Sequence, residues 1–262
     1  MTALRGSTSA VRLDVASKIL EAALHSWTHG PAPAAPAVPR TFVTVSRQPG
    51  AGGITFSHRL AQRLNAGGAD DWSAWDRELV ERVAAEANIP PELIETIPDR
   101  HRSWFTTLAD AISSHPNAPD FAEVRAYKRV IAAIGALAER GHAIIVGQGG
   151  TFVTEGMPGA IHLRLVAPPE HRIKHFADRE QISLGEAAAR LKEADAYRAE
   201  FFRRFWQRKV IGPEQFTMTL NAAELSVDEM IDAVVPIIRQ REAALARAKT
   251  FGPAFAGGAG RT

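Results

Sequence analysis

The 262-residue chain contains no cysteine. That one absence excludes disulfides, thiolate metal sites and a cysteine nucleophile. Its start, "MTALRGSTSAVRLDVASK", lacks the continuous apolar core of a secretory signal. No stretch approaches the roughly 18 apolar residues that suggest a membrane span. Charge of one sign is barely in excess, since 31 basic residues meet 29 acidic ones for a net +2. So small an imbalance does not imply a nucleic-acid surface, and a local cluster of arginines matters more than the total. What remains is a protein expected in the cytoplasm, with neither nucleic acid nor membrane as partner.

Hydrophobic residues make up 45% of the chain against 23% charged, enough to bury a substantial core. "VRLDVASKILEAALHSW" (11–27) carries apolar residues at helical spacing, and the proline-rich "GPAPAAPAVPR" (30–40) reads as an extended linker. Residues 1–40 are thus an appendage, expected to pack on the body or to pair two copies as a homodimer. The body spans 41–240, and 241–262 holds a helix end and a flexible tail.

Strands are expected at "TFVTVS" (41–46), "DDWSAWD" (70–76), "AIIVG" (143–147), "AIHLRLVA" (160–167) and "FTMTLNA" (216–222). Helical patterns fill the intervals, with 90–140 mostly helical but broken at "SSHPNAPD" (113–120). The helix "FAEVRAYKRVIAAIGALAER" should stop at Gly141. "SLGE" (183–186) and "SVDE" (226–229) each place serine and glutamate at capping-box spacing. Alternating strands and helices predict an α/β fold with a parallel sheet covered on both faces. Ligands of such sheets sit beyond the strands' carboxyl ends.

"SRQPGAGGITFS" (46–57) lies at such a place, after the first strand. A phosphate-binding loop reads G-x-x-x-x-G-K-[ST]; its amides cradle phosphates, its lysine neutralises them and its hydroxyl reaches the metal. Laid on that pattern, Arg47 takes the first glycine position, Gly52 the second and Gly53 the lysine's. Ile54 falls at the hydroxyl position, with Thr55 one place later. On these residues alone, a plain strand–helix turn stands as an alternative.

Beyond the loop, "TVSRQPGAGGITFSHRLAQRL" (44–64) resembles the opening of the cytidylate kinase-like family, P-loop proteins related to bacterial cytidylate kinases. That family has S-R-E-x-G-S-G-G there and likewise lacks the lysine. "WDRELVERVA" (75–84) is similar to its Y-D-K-E-L-I segment, and "AIIVGQGG" (143–150) to V-I-V-G-R-G-A. The stretch "APPEHRIKHFADREQISLGEAAARLKEADAYRAEFFRRFW" (167–206) follows its A-P-x-x-x-R-I-x-R and R-E-x-I-S-x-x-E-A patterns. "TLNAAELSVDEMIDAV" (219–234) follows its closing strand and helix. The likeness covers roughly 41–240.

The resemblance implies a P-loop NTPase fold with a five-stranded parallel sheet, a helical acceptor insert mainly at 90–140, and a mobile lid around 180–212. It implies transfer of the γ-phosphoryl of ATP, with Mg²⁺, to a nucleoside monophosphate or similar small acceptor. Arg47, Gly50, Ala51, Gly52, Gly53, Ile54 and Thr55 would then bind the donor, with Thr55 or Ser57 offering a hydroxyl. Arg172, Arg179 and Arg198 match arginine positions of the family and would replace the lysine's charge, with Arg203 and Arg204 close by. The alternative is solvated faces in which arginines pair with Glu193, Asp195 or Glu200.

Asp76 follows the second strand and would hold a magnesium-bound water or accept a proton, or else cap the helix after it. Arg82 corresponds by position to an acceptor-contacting arginine, with a plain surface role as the alternative. The chain departs from cytidylate kinases where they carry D-G-R-D. Val146, Gln148 and Gly149 replace the first aspartate, the arginine and the second aspartate, and Gln148 stands at the substrate position. The acceptor is therefore left open between a nucleotide and another metabolite, and a binding module with little turnover is the rival class. His171 and His175 are four apart but have no evident third metal ligand. Trp72 and Trp75, three apart, suit core packing or base stacking.

Overall fold

The computed structural model describes residues 40–67, 71–86, 121–206 and 212–251. The expected N-terminal helix, its linker up to residue 39, residues 90–120 of the insert, 207–211 of the lid and the tail from 252 lie outside the described residues. In order, the elements are β1 (Phe42–Arg47), α1 (Gly53–Asn65), β2 (Ser73–Trp75), α2 (Arg77–Glu86) and α3 (Phe121–Arg140). Then come β3 (Ala143–Val146), α4 (Gly150–Val153), β4 (Ala160–Val166), α5 (Pro169–Glu180), α6 (Leu184–Trp206), β5 (Met218–Asn221) and α7 (Val227–Phe251).

The five strands form one parallel sheet in the order β2-β3-β1-β4-β5. Val43 pairs with Ile144 on one side of β1 and with Ile161 on the other. From β1 the chain passes to the edge strand β2, returns to β3 beside β1, then crosses to β4 and β5, so connections leave the two sides of β1 in opposite directions and the crevice at its carboxyl end is the switch point where this architecture presents ligands. This is the α/β fold with a five-stranded parallel sheet anticipated from the sequence.

Side-chain alternation divides the core in two. Val43, Val45, Ile144, Val146, Ile161, Leu163 and Leu165 face α1 and α7, meeting Phe56, Leu60, Leu64, Ile231 and Val234. Phe42, Ala143 and Ile145 face α3, packing on Ile131, Ile134 and Leu137. Each fully buried large side chain contributes about 1.5–3 kcal/mol, so this sandwich holds the loop ends rigid. Trp72 and Trp75 are both core residues, 2% and 4% exposed, and Trp72 stacks on His142. They are therefore unavailable to stack on a base.

Several elements differ in length from expectation, β5 among them with four residues where seven were expected. β2 is three residues rather than seven, because the Asn65 side chain takes both backbone groups of Trp72 at 2.8 Å and keeps it out of the ladder. α6 runs on to Trp206, because Phe201, Phe202 and Trp206 continue its apolar face against Tyr127 and Phe152. The box at Ser226 closes both ways, with Glu229 N–H donating to Ser226 Oγ and Ser226 N–H to Glu229 Oε2. At Ser183 only the serine half forms, since the Glu186 carboxylate turns to Arg190. Among the described residues no helix is long and apolar enough to cross a membrane.

Candidate active site

The loop after β1 is a turn fastened from behind. Ala51 N–H donates to the Gln48 carbonyl, and Gln48 Oε1 accepts from Ala167 N–H, tying the turn to the end of β4. Gly50 has φ 81°, and a Cβ there would lie 2.9 Å from the Arg172 carbonyl oxygen, so glycine alone fits. Arg172 donates to the Pro49 carbonyl at 3.1 Å and to Asp195 at 2.8 Å. His175 Nδ1 lies 3.0 Å from the Gly50 carbonyl. α5 thus buckles the loop to helix α6.

This geometry distributes the loop residues unequally. The Ala51 amide is spent within the turn, whereas the amides of Gly53, Ile54 and Thr55 open α1 and have no intrahelical acceptor. They form the positive end of that helix. Ser57 is fully buried and donates to the Gly53 carbonyl, so it offers nothing to a metal; the hydroxyl at hand is that of the exposed Thr55.

Beside the turn is a cavity of about 530 Å³ that meets it at Pro49, while the expected donor-binding residues Gly50, Ala51, Gly52, Gly53, Ile54 and Thr55 do not line it. Its floor is Thr44, Ser46 and Arg47 of β1 with the turn Gly147–Gly150 after β3. α6 roofs it with Arg190, Glu193, Tyr197, Arg198 and Phe201, residues at helical spacing that share one face. Phe152 and Phe202 add aromatic wall, and Arg77 closes one side. Gln148 keeps φ at 53° although it has a side chain. Such a conformation costs about 1–3 kcal/mol. It is offset by Tyr127, whose hydroxyl donates to the Gln148 carbonyl, and by Glu81, which accepts from Gln148 Nε2 at 2.7 Å.

The electrostatics favour an anion. Arg198 is half-buried; its polar contact is one hydrogen bond to Ser46 Oγ at 3.2 Å, and its guanidinium lies 4.7 Å from the centre of the Phe202 ring. Burial, then repulsion from Arg164 and Arg47, pushes its pKa down to about 10. Burial and the nearby Arg77 likewise lower Arg47, with Asp76 opposing. Arg77 is held by Glu81 at 2.8 Å and lies over the Tyr197 ring. Asp76, Asp195 and Glu81 each offset one of these cations, but only Glu81 is hydrogen-bonded to its arginine, and the other two guanidiniums are set for a ligand that brings its own charge.

Of the residues expected at the site, Arg47, Arg198 and Gln148 converge on this cavity. Others are placed elsewhere. Arg172 is buried behind the loop, and Arg179 is exposed, bound to Glu180 and lying over Phe176. Arg82 is exposed on α2, Arg203 pairs with Glu200, and the Arg204 side chain lies outside those described. Asp76 accepts from Leu79 N–H as the cap of α2. The sequence reading missed Arg77, Tyr197 and Thr44. Only Arg77, adjacent to Asp76, carried a signal that could have found it.

For Mg²⁺ the protein supplies little. Ile54 and Val146 are apolar where a hydroxyl and a carboxylate are usual, and the described residues contain no cluster of three His, Asp or Glu. His171 and His175 stack on one another without a third ligand. Asp76, engaged as the cap of α2, is not among the residues lining the cavity.

A solved structure from Eubacterium ventriosum, an uncharacterized protein, aligns over 77% of this chain and 99% of its own, with a TM-score of 0.54 at 15% identity. Shikimate kinase from Bacteroides thetaiotaomicron aligns over 76% and 98%, with a TM-score of 0.40 at 14% identity, a likeness too distant to bear on function. No curated protein matches the chain in sequence. The model of the cytidylate kinase-like family matches residues 42–224, which is more than half of the protein. The chain therefore belongs to the cytidylate kinase-like family.

Proposed function

We propose that the protein is a cytoplasmic phosphotransferase that moves the γ-phosphoryl of ATP to a nucleoside monophosphate or a similar small phosphorylated acceptor. The observation that carries this reading is the pair of half-buried, weakly paired guanidiniums, Arg47 and Arg198, facing an aromatic-walled cavity at the carboxyl end of β1. Arginines suit phosphate, and Tyr197 and Phe201 suit a flat ring beside it.

In this reading the open amides of α1 and Arg47 hold the donor phosphates, and Arg198 reaches down from α6 to the transferring group. The acceptor oxygen forms a bond to the γ-phosphorus as the bond to the bridging oxygen of ADP breaks, and ADP leaves with that electron pair. A phosphate monoester has its second pKa near ~6, so its attacking oxygen is already ionised and needs no base. That leaves Asp76 to its capping bond at α2; Mg²⁺, when bound with the nucleotide, would supply charge neutralisation to the phosphates.

A coupled assay for diphosphate formation over a panel of monophosphates, with and without Mg²⁺, tests this reading. A protein that is protected from melting by nucleotides but makes no product is instead a binding module. Ile54 and Val146, apolar where metal-directing groups are usual, favour that second reading. Turnover only with an unphosphorylated alcohol would point to another metabolite, and Asp76 would then be required as the base.

A further inference from the structure

The loop has no lysine, yet a basic side chain crosses the place where one would begin. A Cβ on Gly53 would lie 2.9 Å from Arg47 Cγ, and one on Gly147 would lie 2.1 Å from Arg47 Nη1. The Arg47 stem therefore passes over the first residue of α1, and its guanidinium rests against the turn after β3. Gly147 has φ 80°, which also suits glycine. Among the described residues no hydrogen bond or salt bridge engages the Arg47 guanidinium, although Arg77 and Arg198 crowd it with like charge. Asp76 offsets this only through space, and a half-buried cation without a hydrogen-bonded partner is costly unless an anion completes it.

We propose that Arg47 stands in for the loop lysine. Its guanidinium, brought from the strand side, meets the donor's polyphosphate, and glycine is required at 53 and 147 because the side chain passes over one and ends against the other. The proposal rests on the cavity being a nucleotide site. It explains together why the lysine position holds the smallest residue and why the first glycine position holds an arginine.

Calorimetric titration of the full chain with ATP, and separately with inorganic triphosphate, tests both claims apart. The wild type is expected to bind both, and Arg47→Ala to bind each about tenfold more weakly or worse, the scale of one charge-assisted contact. Arg47→Gln, neutral and similar in size, is the second variant should alanine compromise folding. Gly147→Ala leaves the charge but fills its seat, and should weaken triphosphate comparably. In Arg47→Ala/Gly53→Lys a lysine can use the vacated path, so triphosphate affinity should rise above that of Arg47→Ala alone. If both neutral variants bind as tightly as the wild type, or tighter, Arg47 is a bystander or a plug and the proposal is overturned while the nucleotide site stands. If the double variant gains nothing over Arg47→Ala, the two positions do not share one space and the equivalence fails. If the wild type takes up neither ligand, the site reading and the proposal fail together.

Discussion

Arg198 illustrates how much a single side chain can hold in reserve. Its guanidinium has five donors, and the contacts at hand are one hydroxyl at 3.2 Å and one ring face. A group satisfied this weakly in the unliganded protein gains most when charge develops on a transferring phosphoryl group. Arg198→Ala should lower kcat by roughly a hundredfold, the scale of losing one preorganised donor, with a much smaller change in ATP affinity. Arg198→Lys should recover little, because a point charge cannot reproduce the planar fork. Steady-state kinetics beside calorimetry check both, and an unchanged kcat in the alanine variant would remove Arg198 from the mechanism.

Among elements, the contact that matters most is the one the sequence concealed. Arg172 was expected at the phosphates, yet α5 places it behind the loop, where it joins the Pro49 carbonyl to Asp195. Arg172→Ala would strand a carbonyl and loosen α6 from the loop, at a cost of about 1–3 kcal/mol. Asp195→Ala should cost less, since Asp195 is 41% exposed. Urea midpoints of the two variants test that order, and a greater loss for Asp195→Ala would contradict the buckle. Ser226→Ala should cost about 1 kcal/mol and Ser183→Ala less, because only the Ser226 box is reciprocal. The strands, the glycine turn and both capping sites were legible because each depends on neighbours in the chain. The role of Arg172, the shortening of β2 by Asn65 and the approach of Arg77 to Tyr197 were not, since each is decided by a partner distant in sequence or by the angle at which two helices meet.

For the whole molecule, the two faces of the sheet differ in their response to acid. The α1 and α7 side is apolar, but on the other side Thr44 Oγ1 lies 2.8 Å from His162 Nδ1 and 3.0 Å from Thr151 Oγ1. Burial, and then Arg241, pushes the His162 pKa down to about 4. Since the unfolded chain protonates this group near ~6.5, it takes up a proton that the native protein refuses between those values. The contribution is therefore complete above pH ~6.5 and declines toward pH 4, by up to ~1.4 kcal/mol per unit. His162→Gln should flatten the profile, measured as the difference in urea midpoints across that range; parallel curves would contradict it. A last consequence concerns assembly. Arg198 reaches Ser46 across 152 positions of chain, so floor and roof meet only after nearly the whole domain has emerged and docked. During renaturation, far-ultraviolet ellipticity should return first and nucleotide protection later, and a fragment ending before α6 should regain helices yet never acquire a ligand.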